Sequence, residues 1–330
     1  MFAIILLICV SISTFTVAVP YYELDKAASY FEEYIKEYGK QYADEHEKED
    51  RFKIFKDNLE EANRLNAEGS GLRNGITQFM DLTRREFSSR YTGLADNFTL
   101  YQSECRVLSD RDIPDVDAPE EFDWRDKNVV TRVKNQGHCE SCYTFSTTGH
   151  LEGQYAIKHN ELISVYNTYT YSLNLDLQQQ QQSSILNDRN SIALLRIIFN
   201  RSIMQLGGIM READYPYRAR NGRCQFNRNK VAVKVKGCFT YKLRSQEKLK
   251  QLLYQTGPIS IGGVVADYYC QQGSINHAVL LVGYGVGPYW LVKNSYATTF
   301  GEQGYFRMQR GERATSCGLM NEYMASAIVE

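Results

Sequence analysis

The strongest hydrophobic pattern in the chain lies between residues 47 and 66, which read EKEDRFKIFKDNLEEANRLN. Apolar side chains recur there at helical spacing, and charged side chains fill the positions between them. The apolar positions are Phe52, Phe55, Leu59, Ala62 and Leu65. This pattern predicts an amphipathic helix. After the break at Asn74 and Gly75, residues 76–81 predict a short strand or an extended turn.

A second helix is predicted from Cys142 to about Lys158, with Ser141 as its candidate cap. From residue 230 to 308, short apolar runs such as VAVKV, PISIGGVV and AVLLVGYG alternate with glycines, which predicts a β-rich lobe. Between these regions, residues 164–206 contain five consecutive glutamines, many Asn and Ser, and no Cys. That composition is typical of an inserted or disordered segment.

The chain has 330 residues, of which 43% are hydrophobic and 23% are charged, so it can bury a large core in two lobes. Its net charge of −1 argues against a nucleic-acid-binding protein. Residues 2–19 carry no charge; a membrane helix is an alternative, but the run is barely long enough and ends in small residues. We therefore expect a secretory signal over residues 1–18, although it lacks the usual basic residue, and no stable membrane insertion. Secretion would permit disulfides, and it makes Asn97 and Asn200 candidate glycosylation sites.

Charge is distributed unequally along the rest of the chain. Residues 19–117 contain 14 Lys and Arg against 22 Asp and Glu, a balance of −8, whereas residues 118–330 have a balance of +7. An acidic segment ahead of a basic body is typical of an electrostatically docked pro-segment, although a solvated acidic helix is the alternative. Residues 103–117, rich in Asp and Ser, predict an exposed linker and a cleavage region.

Cys139 and Cys142 form a Cys-x-x-Cys pair that admits three kinds of chemistry. A zinc site needs a second pair of ligands at suitable spacing, and none follows. A redox pair needs a βαβ context, which the surrounding sequence does not suggest. A nucleophilic cysteine needs a distant base and an orienting group, and His277 and Asn294 qualify. The remaining histidines are interpreted as surface residues: His46, His138, His150 and His159.

Three blocks, KNQGHCESCYTFS, NHAVLLVGYG and YWLVKNS, resemble the active-site blocks of the papain-like cysteine proteases. The intervals fit that family: 135 residues from Cys142 to His277, and 17 from His277 to Asn294. The resemblance implies an α+β, papain-like two-lobe fold, with a helical lobe and a β-rich, barrel-like lobe. It also implies an N-terminal helical inhibitory pro-segment over residues 19–117 and a peptidase domain over residues 118–330.

The predicted amphipathic helix is similar to the E-x3-R-x3-F-x2-N-x3-I-x3-N helix of the family's pro-segments. Its matching positions are Glu47, Arg51, Phe55, Asn58, Ala62 and Asn66, with Ala in place of Ile. The chain also resembles a second pro-segment motif of the family, G-x-N-x-F-x-D. The matching positions are Gly75, Thr77, Phe79 and Asp81, with Thr in place of Asn. Within the family, YAIKHNELIS, DYPY and CGLMNEYMASA look most like the cathepsins of baculoviruses.

The resemblance assigns a role to each matching residue. Cys142 would be the nucleophile, His277 the acid and base, and Asn294 the group that orients the imidazole, as in the Cys-His-Asn triad. Gln136 would donate its side-chain amide to the oxyanion. The family implies no cofactor and no metal. The expected partners are protein substrates and the chain's own pro-segment, with a monomer in the secretory pathway, outside the cell or in a lysosome-like acidic compartment, of a host cell if the protein is viral.

Two pocket residues and one disulfide also follow from the resemblance. Glu322 would form the floor of the pocket for the second residue before the scissile bond, where a surface glutamate is the alternative, and Ile275 is a further substrate-binding candidate. Cys270 and Cys317 look like the pair that bridges the second lobe. No partner follows for Cys105, Cys139, Cys224 or Cys238.

The chain departs from its family at several positions. Glu140 and Tyr143 stand where relatives carry Gly and Trp, and Tyr296 and Phe300 replace two tryptophans. The LSEQ…LVDC…CNGG segment, which supplies part of the substrate cleft and two cysteines, is not found. The sequence therefore predicts a cysteine endopeptidase made as a zymogen. A catalytically weak or inactive pseudo-protease that acts by binding is the alternative.

Overall fold

The computed structural model describes residues 19–68, 73–91, 105–139, 141–165, 203–220, 225–263, 277–311, 319 and 324–330. Several sequence predictions lie outside these residues: the signal peptide, most of the atypical segment 164–206, Asn97, Asn200, Cys224, Cys270, Ile275, Cys317 and Glu322. Within the described part of the chain, no helix is both long and apolar enough to cross a bilayer.

The described helices and strands follow the chain in a simple order. The helices are α1 (Ala27–Tyr38), α2 (Glu45–Ala67), α3 (Arg84–Tyr91), α4 (Cys142–His159) and α5 (Gln246–Thr256). The strands are β1 (Arg106–Ser109), β2 (Phe122–Asp123), β3 (Ile209–Met210), β4 (Val231–Val233), β5 (Val235–Lys242), β6 (Ile259–Gly263), β7 (His277–Gly285), β8 (Tyr289–Lys293), β9 (Tyr305–Gln309) and β10 (Met324–Val329).

Residues 19–91, called the helical body below, fold around helices α1 to α3. The amphipathic helix predicted from the sequence is confirmed as α2. Its first turn is capped reciprocally: Asp44 accepts from the backbone N–H of Glu47 at 2.8 Å, and the Glu47 carboxylate accepts from Ala43 N–H at 2.6 Å. An apolar core of its own holds the helical body together, and it includes Phe31, Tyr34, Phe55 and Leu59.

Residues 76–81 form a turn rather than a strand, and this turn closes on Asp81. The buried carboxylate of Asp81 accepts from the Tyr34 hydroxyl at 2.6 Å and from the Lys40 ammonium at 2.8 Å. Because a buried carboxylate is costly unless it is paired, these donors fix the turn against α1 and the residues that follow it. The turn presents Gln78 and Phe79 toward the rest of the molecule.

The C-terminal part of the molecule consists of two lobes, as the sequence predicts, and it confirms the α+β, papain-like class. The β-rich lobe is built on a sheet with strand order β1-β5-β10-β6-β7-β8-β9, while β2 pairs with β7. Its core includes Trp290, Leu281, Ile259 and Leu253. Helix α4 belongs to the other lobe and packs against β7, and Cys142 and Ala278, near the starts of these two elements, lie in one apolar cluster.

The end of the predicted linker is structured. Residues 105–114, called the strap below, contain β1 and a short 3-10 turn at Asp110–Asp112. Half of its residues are exposed, as predicted for a linker, but Cys105 and Ile113 are buried. Cys105 forms a disulfide with Cys238 of β5. This pairing has no counterpart among the sequence predictions, which left both cysteines unassigned.

The interpretation of His150 as a surface residue is wrong. The His150 side chain is 1% exposed and lies in the middle of α4. Its Nε2 accepts from the backbone N–H of Ala327 at 2.7 Å, so Nδ1 carries the proton and donates to the Pro258 carbonyl at 2.7 Å. His150 therefore ties α4 to the sheet as a neutral, fully paired residue. The other three histidines are exposed, as expected: His46, His138 and His159.

Candidate active site

Cys142 is the first residue of α4, and only 1% of its surface is exposed. Ser141 occupies the N-cap position predicted for it, but its side chain makes no capping bond. Instead the Ser141 hydroxyl pairs with the Tyr217 hydroxyl at 2.7 Å. The helix N-terminus is therefore left without a side-chain acceptor from its cap. A sulfur atom at this positive end of a helix is stabilised as the thiolate.

His277 begins β7, and it is completely buried. Its Nε2 lies 2.8 Å from Oδ1 of Asn294. The same Oδ1 accepts from the backbone N–H of Ser295 at 2.8 Å, which identifies it as the amide oxygen. Consequently Nε2 of His277 is the protonated nitrogen, and Nδ1 is the basic one. Burial lowers the pKa of His277 from 6.5 to about 4, although the bond to Asn294 opposes this shift.

Gln136 lies in the KNQG loop, with its side chain fully buried. Its backbone N–H donates to the Ser295 carbonyl at 2.8 Å, and its Oε1 accepts from the Ser295 hydroxyl at 2.5 Å. Its Nε2 donates one hydrogen to the Cys139 carbonyl at 2.8 Å. Since a primary amide has two N–H groups, this bond uses only one of them.

Tyr296 covers the histidine. The two rings stack with centroids 4.8 Å apart, and the Tyr296 hydroxyl lies 3.3 Å from Nδ1 of His277. Burial, followed by the charge of Cys142, raises the pKa of Tyr296. Tyr296 is thus next to both the thiol and the imidazole, in the position where relatives carry a tryptophan. A buried tyrosine in this position excludes water from the His277–Asn294 contact.

The helical body closes over this group of residues. Gln78 donates its amide to the Tyr296 carbonyl at 2.8 Å, and the Tyr296 hydroxyl donates to the Tyr91 carbonyl at 3.0 Å. The Phe79 ring packs edge-on against Tyr296, with centroids 5.2 Å apart, and also contacts Phe300 at 6.1 Å. The part of the molecule that precedes the two lobes therefore lies directly against the residues around His277.

A buried charge network that was not predicted from the sequence lies beneath the site. The Lys134 ammonium contacts the Glu152 carboxylate at 2.7 Å, and Glu152 also accepts from the Thr131 hydroxyl at 2.6 Å. Lys293, which precedes Asn294, donates to Thr131 at 2.9 Å. Burial lowers the pKa of Lys293 to about 8, while the charge of Glu152 opposes this shift. These groups connect the two lobes next to Asn294.

Four of the residues predicted from the sequence are thus found around one site: Cys142, His277, Asn294 and Gln136. Cys139 is partly exposed and forms no disulfide with another described residue. Ser295 and Tyr217 were not predicted, yet both hold the KNQG loop in place. Tyr217 donates to the Gln136 carbonyl at 2.9 Å. Both residues lie in sequence blocks that resemble the family, KNSY for Ser295 and DYPY for Tyr217, and this position could have identified them.

Comparison with known proteins agrees with this arrangement. Residues 118–327 match the papain family cysteine protease domain, and residues 31–87 match the cathepsin propeptide inhibitor domain. The chain belongs to the papain family of cysteine proteases, and it combines a cysteine-type hydrolase domain with an inhibitory propeptide domain. The match places the inhibitor domain within the helical body.

The most similar curated relatives retrieved include viral cathepsins. The viral cathepsin of Choristoneura fumiferana defective polyhedrosis virus is 41% identical over 336 residues and covers 98% of both chains. That of Antheraea pernyi nuclear polyhedrosis virus is 42% identical over 318 residues, covering 93% of this chain and 94% of the relative. Among solved structures, a digestive procathepsin L from the larval midgut of Tenebrio molitor aligns with a TM-score of 0.73 and 27% identity, over 91% of this chain and 99% of that one.

Proposed function

We propose that this protein is the zymogen of a secreted, cathepsin-like cysteine endopeptidase that uses Cys142, His277 and Asn294 as its catalytic triad. The proposal rests mainly on the orientation of the His277 imidazole. Asn294 accepts from Nε2, so Nδ1 is left as the base that can take the proton of a neighbouring thiol. The position of Cys142 at the N-terminus of α4 supports the same assignment, because that position favours a thiolate.

In the proposed reaction the Cys142 thiolate attacks the carbonyl carbon of the scissile peptide bond. The carbonyl oxygen becomes an oxyanion, which accepts hydrogen bonds from the second N–H of Gln136 Nε2 and from the backbone N–H of Cys142. His277 gives its proton to the amine as the carbon–nitrogen bond breaks, which leaves a thioester. Water, deprotonated by His277, then attacks the thioester. A carboxylic acid leaves, and the proton returns to the thiol.

Substrate choice is proposed to depend on Glu322, at the floor of the pocket for the second residue before the scissile bond, and on Ile275. A carboxylate in an apolar pocket can pair with an arginine guanidinium in a bidentate fashion. The enzyme should therefore cleave both Phe-Arg and Arg-Arg reporter peptides. Glu322→Ala should slow cleavage of Arg-Arg selectively. Equal loss on both reporters would exclude Glu322 from the pocket.

Secretion is proposed from the apolar N-terminal run, and the acidic charge of residues 19–117 suits release in an acidic compartment. The proposed peptidase domain spans residues 118–330, with a Cys270–Cys317 disulfide, and the zymogen is proposed to carry glycans on Asn97 and Asn200. The protein is proposed to act as a monomer, with protein substrates and its own propeptide as the inhibitor. An oxidising compartment is required for its disulfides.

The nucleophile can be tested by substitution. Cys142→Ala should abolish peptidase activity after acid treatment with an added protease, because the attacking sulfur is removed. Cys139→Ala is the matched control, three residues earlier in the chain, and it should keep most of the activity. An epoxysuccinyl inhibitor should add one molecule to the wild type and none to Cys142→Ala by intact mass. Activity that survives in Cys142→Ala but not in Cys139→Ala would reverse the assignment.

The rival function is a pseudo-protease that acts by binding, and it is motivated by the missing LSEQ…LVDC…CNGG segment. Labelling of Cys142 and cleavage of the reporter peptides, measured together, distinguish the two functions. A pseudo-protease with an intact site should accept the epoxysuccinyl label on Cys142 but cleave neither reporter peptide. An active endopeptidase should do both.

A further inference from the structure

The strap, residues 105–114, is attached to the peptidase by a covalent bond. Cys105 and Cys238 form a disulfide across 133 residues of sequence. Both cysteines are buried, with 5% and 7% of their surfaces exposed. The bond joins a segment that precedes the matched peptidase domain to β5, a strand inside it. A buried disulfide is hard for thiols in solution to reach, because exchange requires direct attack on one sulfur.

The backbone of the strap continues the peptidase sheet. Strand β1 runs parallel to β5, with Arg106 paired to Phe239 at one end and Ser109 paired to Lys242 at the other. The strap thereby adds an edge strand to the main sheet, next to the disulfide. Leu108 packs against the apolar core of the β-rich lobe.

The far end of the strap is anchored as well. Ile113 is 4% exposed and belongs to the same core as Leu249 and Leu252 of α5. The Asp110 carboxylate accepts from the backbone N–H of Arg244 at 3.1 Å and of Ser245 at 3.3 Å, just ahead of that helix. The strap therefore contributes a buried side chain and main-chain pairing to the lobe, as a strand that belongs to the domain does.

A cut between the strap and the peptidase would not separate the two chains. The disulfide would hold the N-terminal fragment, including the helical body, at a local concentration on the order of millimolar. The inhibitor domain would then remain available to rebind over Tyr296. Release of the inhibitor therefore requires a cut on the N-terminal side of Cys105, or reduction of the disulfide.

We propose that the strap is a permanent component of the active peptidase, linked through Cys105–Cys238, and that only the chain ahead of Cys105 acts as removable inhibitor. This inference rests on the disulfide and on the packing of the strap, and it does not depend on whether the enzyme turns over substrate. It changes the expected covalent composition of the mature enzyme: Cys105 stays with it.

The first experiment uses the full chain, secreted and purified without reductant. The zymogen is treated near pH 5 with an aspartic protease, which needs no thiol, and the surviving peptidase is examined by intact mass and N-terminal sequencing. Every surviving molecule should carry Cys105, either at or after its new N-terminus or on a peptide that is freed by a phosphine reductant. A peptidase that begins after Pro114, with no linked peptide and a free Cys238 thiol, would overturn the proposal.

A second experiment separates covalent from non-covalent attachment. A factor Xa sequence, Ile-Glu-Gly-Arg, replaces residues 115–118, and the protein is cut without reductant. The alkylation rate of Cys142 by iodoacetamide, followed by peptide mapping, should stay the same on hundredfold dilution, because the inhibitor is tethered. The matched control carries the same site with Cys105→Ser and Cys238→Ser, and its rate should increase on dilution. Dilution dependence in the tethered protein, equal to that of the control, would contradict the inference.

Discussion

The helical body and the strap both precede the peptidase domain, but they are held to the rest of the molecule in different ways. The helical body has its own apolar core and its own capped helices, and it contacts the peptidase through Gln78, Phe79 and Tyr91. The strap has no core of its own. It shares a strand pairing, a disulfide and a buried isoleucine with the β-rich lobe.

This difference in attachment means that the two parts of the segment ahead of the peptidase domain can have different roles. A domain with an independent core can leave a surface without unfolding, since the contacts it gives up are a few side chains and hydrogen bonds. A strand that completes a sheet cannot leave without disturbing the core beneath it. The helical body is therefore suited to reversible inhibition, and the strap to stability.

The largest effect is expected from removal of the strap disulfide. Cys105→Ser together with Cys238→Ser should lower the free energy of unfolding by roughly 2–5 kcal/mol, because the disulfide restricts a long loop of the unfolded chain. Urea denaturation followed by tryptophan fluorescence measures this change. Cys139→Ser, which breaks no disulfide among the described residues, should cost less than about 1 kcal/mol and serves as the control. An equal loss of unfolding free energy in both variants would contradict the structural role of the strap.

Removal of an aromatic side chain from the face of the helical body should have the next largest effect. Phe79→Ala deletes the ring that packs on Tyr296 and Phe300, so the closed form of the zymogen should weaken about tenfold to a hundredfold. The alkylation rate of Cys142 in the intact zymogen reports this opening. Tyr21→Ala removes an aromatic side chain that is 76% exposed, and it should leave the rate unchanged.

Acid should open the helical body through His277. In the closed form burial lowers the pKa of His277 from 6.5 to about 4, and opening should return it toward 6.5. The open form then binds protons more readily, so closure is fully favoured above pH 6.5 and is progressively lost as the pH falls toward 4. The opening equilibrium should increase by up to about tenfold per pH unit in this range.

Hydrogen exchange of residues 73–91, corrected for the intrinsic pH dependence of amide exchange, measures this opening. The control is His277→Gln, which has no group that titrates in this range. Its opening should retain only the pH dependence that the carboxylates of the helical body contribute. Identical profiles for the two proteins would remove His277 from the acid response.

The smallest effect should come from a single hydroxyl. Tyr296→Phe keeps the ring on His277 but loses the hydrogen bond to the Tyr91 carbonyl, so closure should weaken roughly threefold to tenfold. The control is Tyr91→Phe, which keeps the accepting carbonyl and should behave like the wild type in the same alkylation assay. An effect of Tyr91→Phe as large as that of Tyr296→Phe would show that the loss does not come from the hydrogen bond between the Tyr296 hydroxyl and the Tyr91 carbonyl.

Local patterns in the sequence were sufficient for some features and not for others. Helix α2 was predictable because its apolar spacing is a property of consecutive residues, and the group of Cys142, His277 and Asn294 because each lies in a block typical of the family. The Cys105–Cys238 pair was not predictable, since several pairings were open and nothing local selects one. His150 was misjudged because its partners, the Pro258 carbonyl and the Ala327 N–H, lie more than a hundred residues away in the sequence.

Strand β1 also changes the outline of the sheet. Without it, the backbone of β5 from Phe239 to Lys242 would be an open edge, with unpaired N–H and C=O groups on a strand of eight residues. Such an edge is a template on which a second molecule can pair, whereas β1 is only four residues long and begins with an exposed arginine. The strap therefore covers an edge on which a second molecule could pair, and a peptidase stripped of it should form β-structured aggregates.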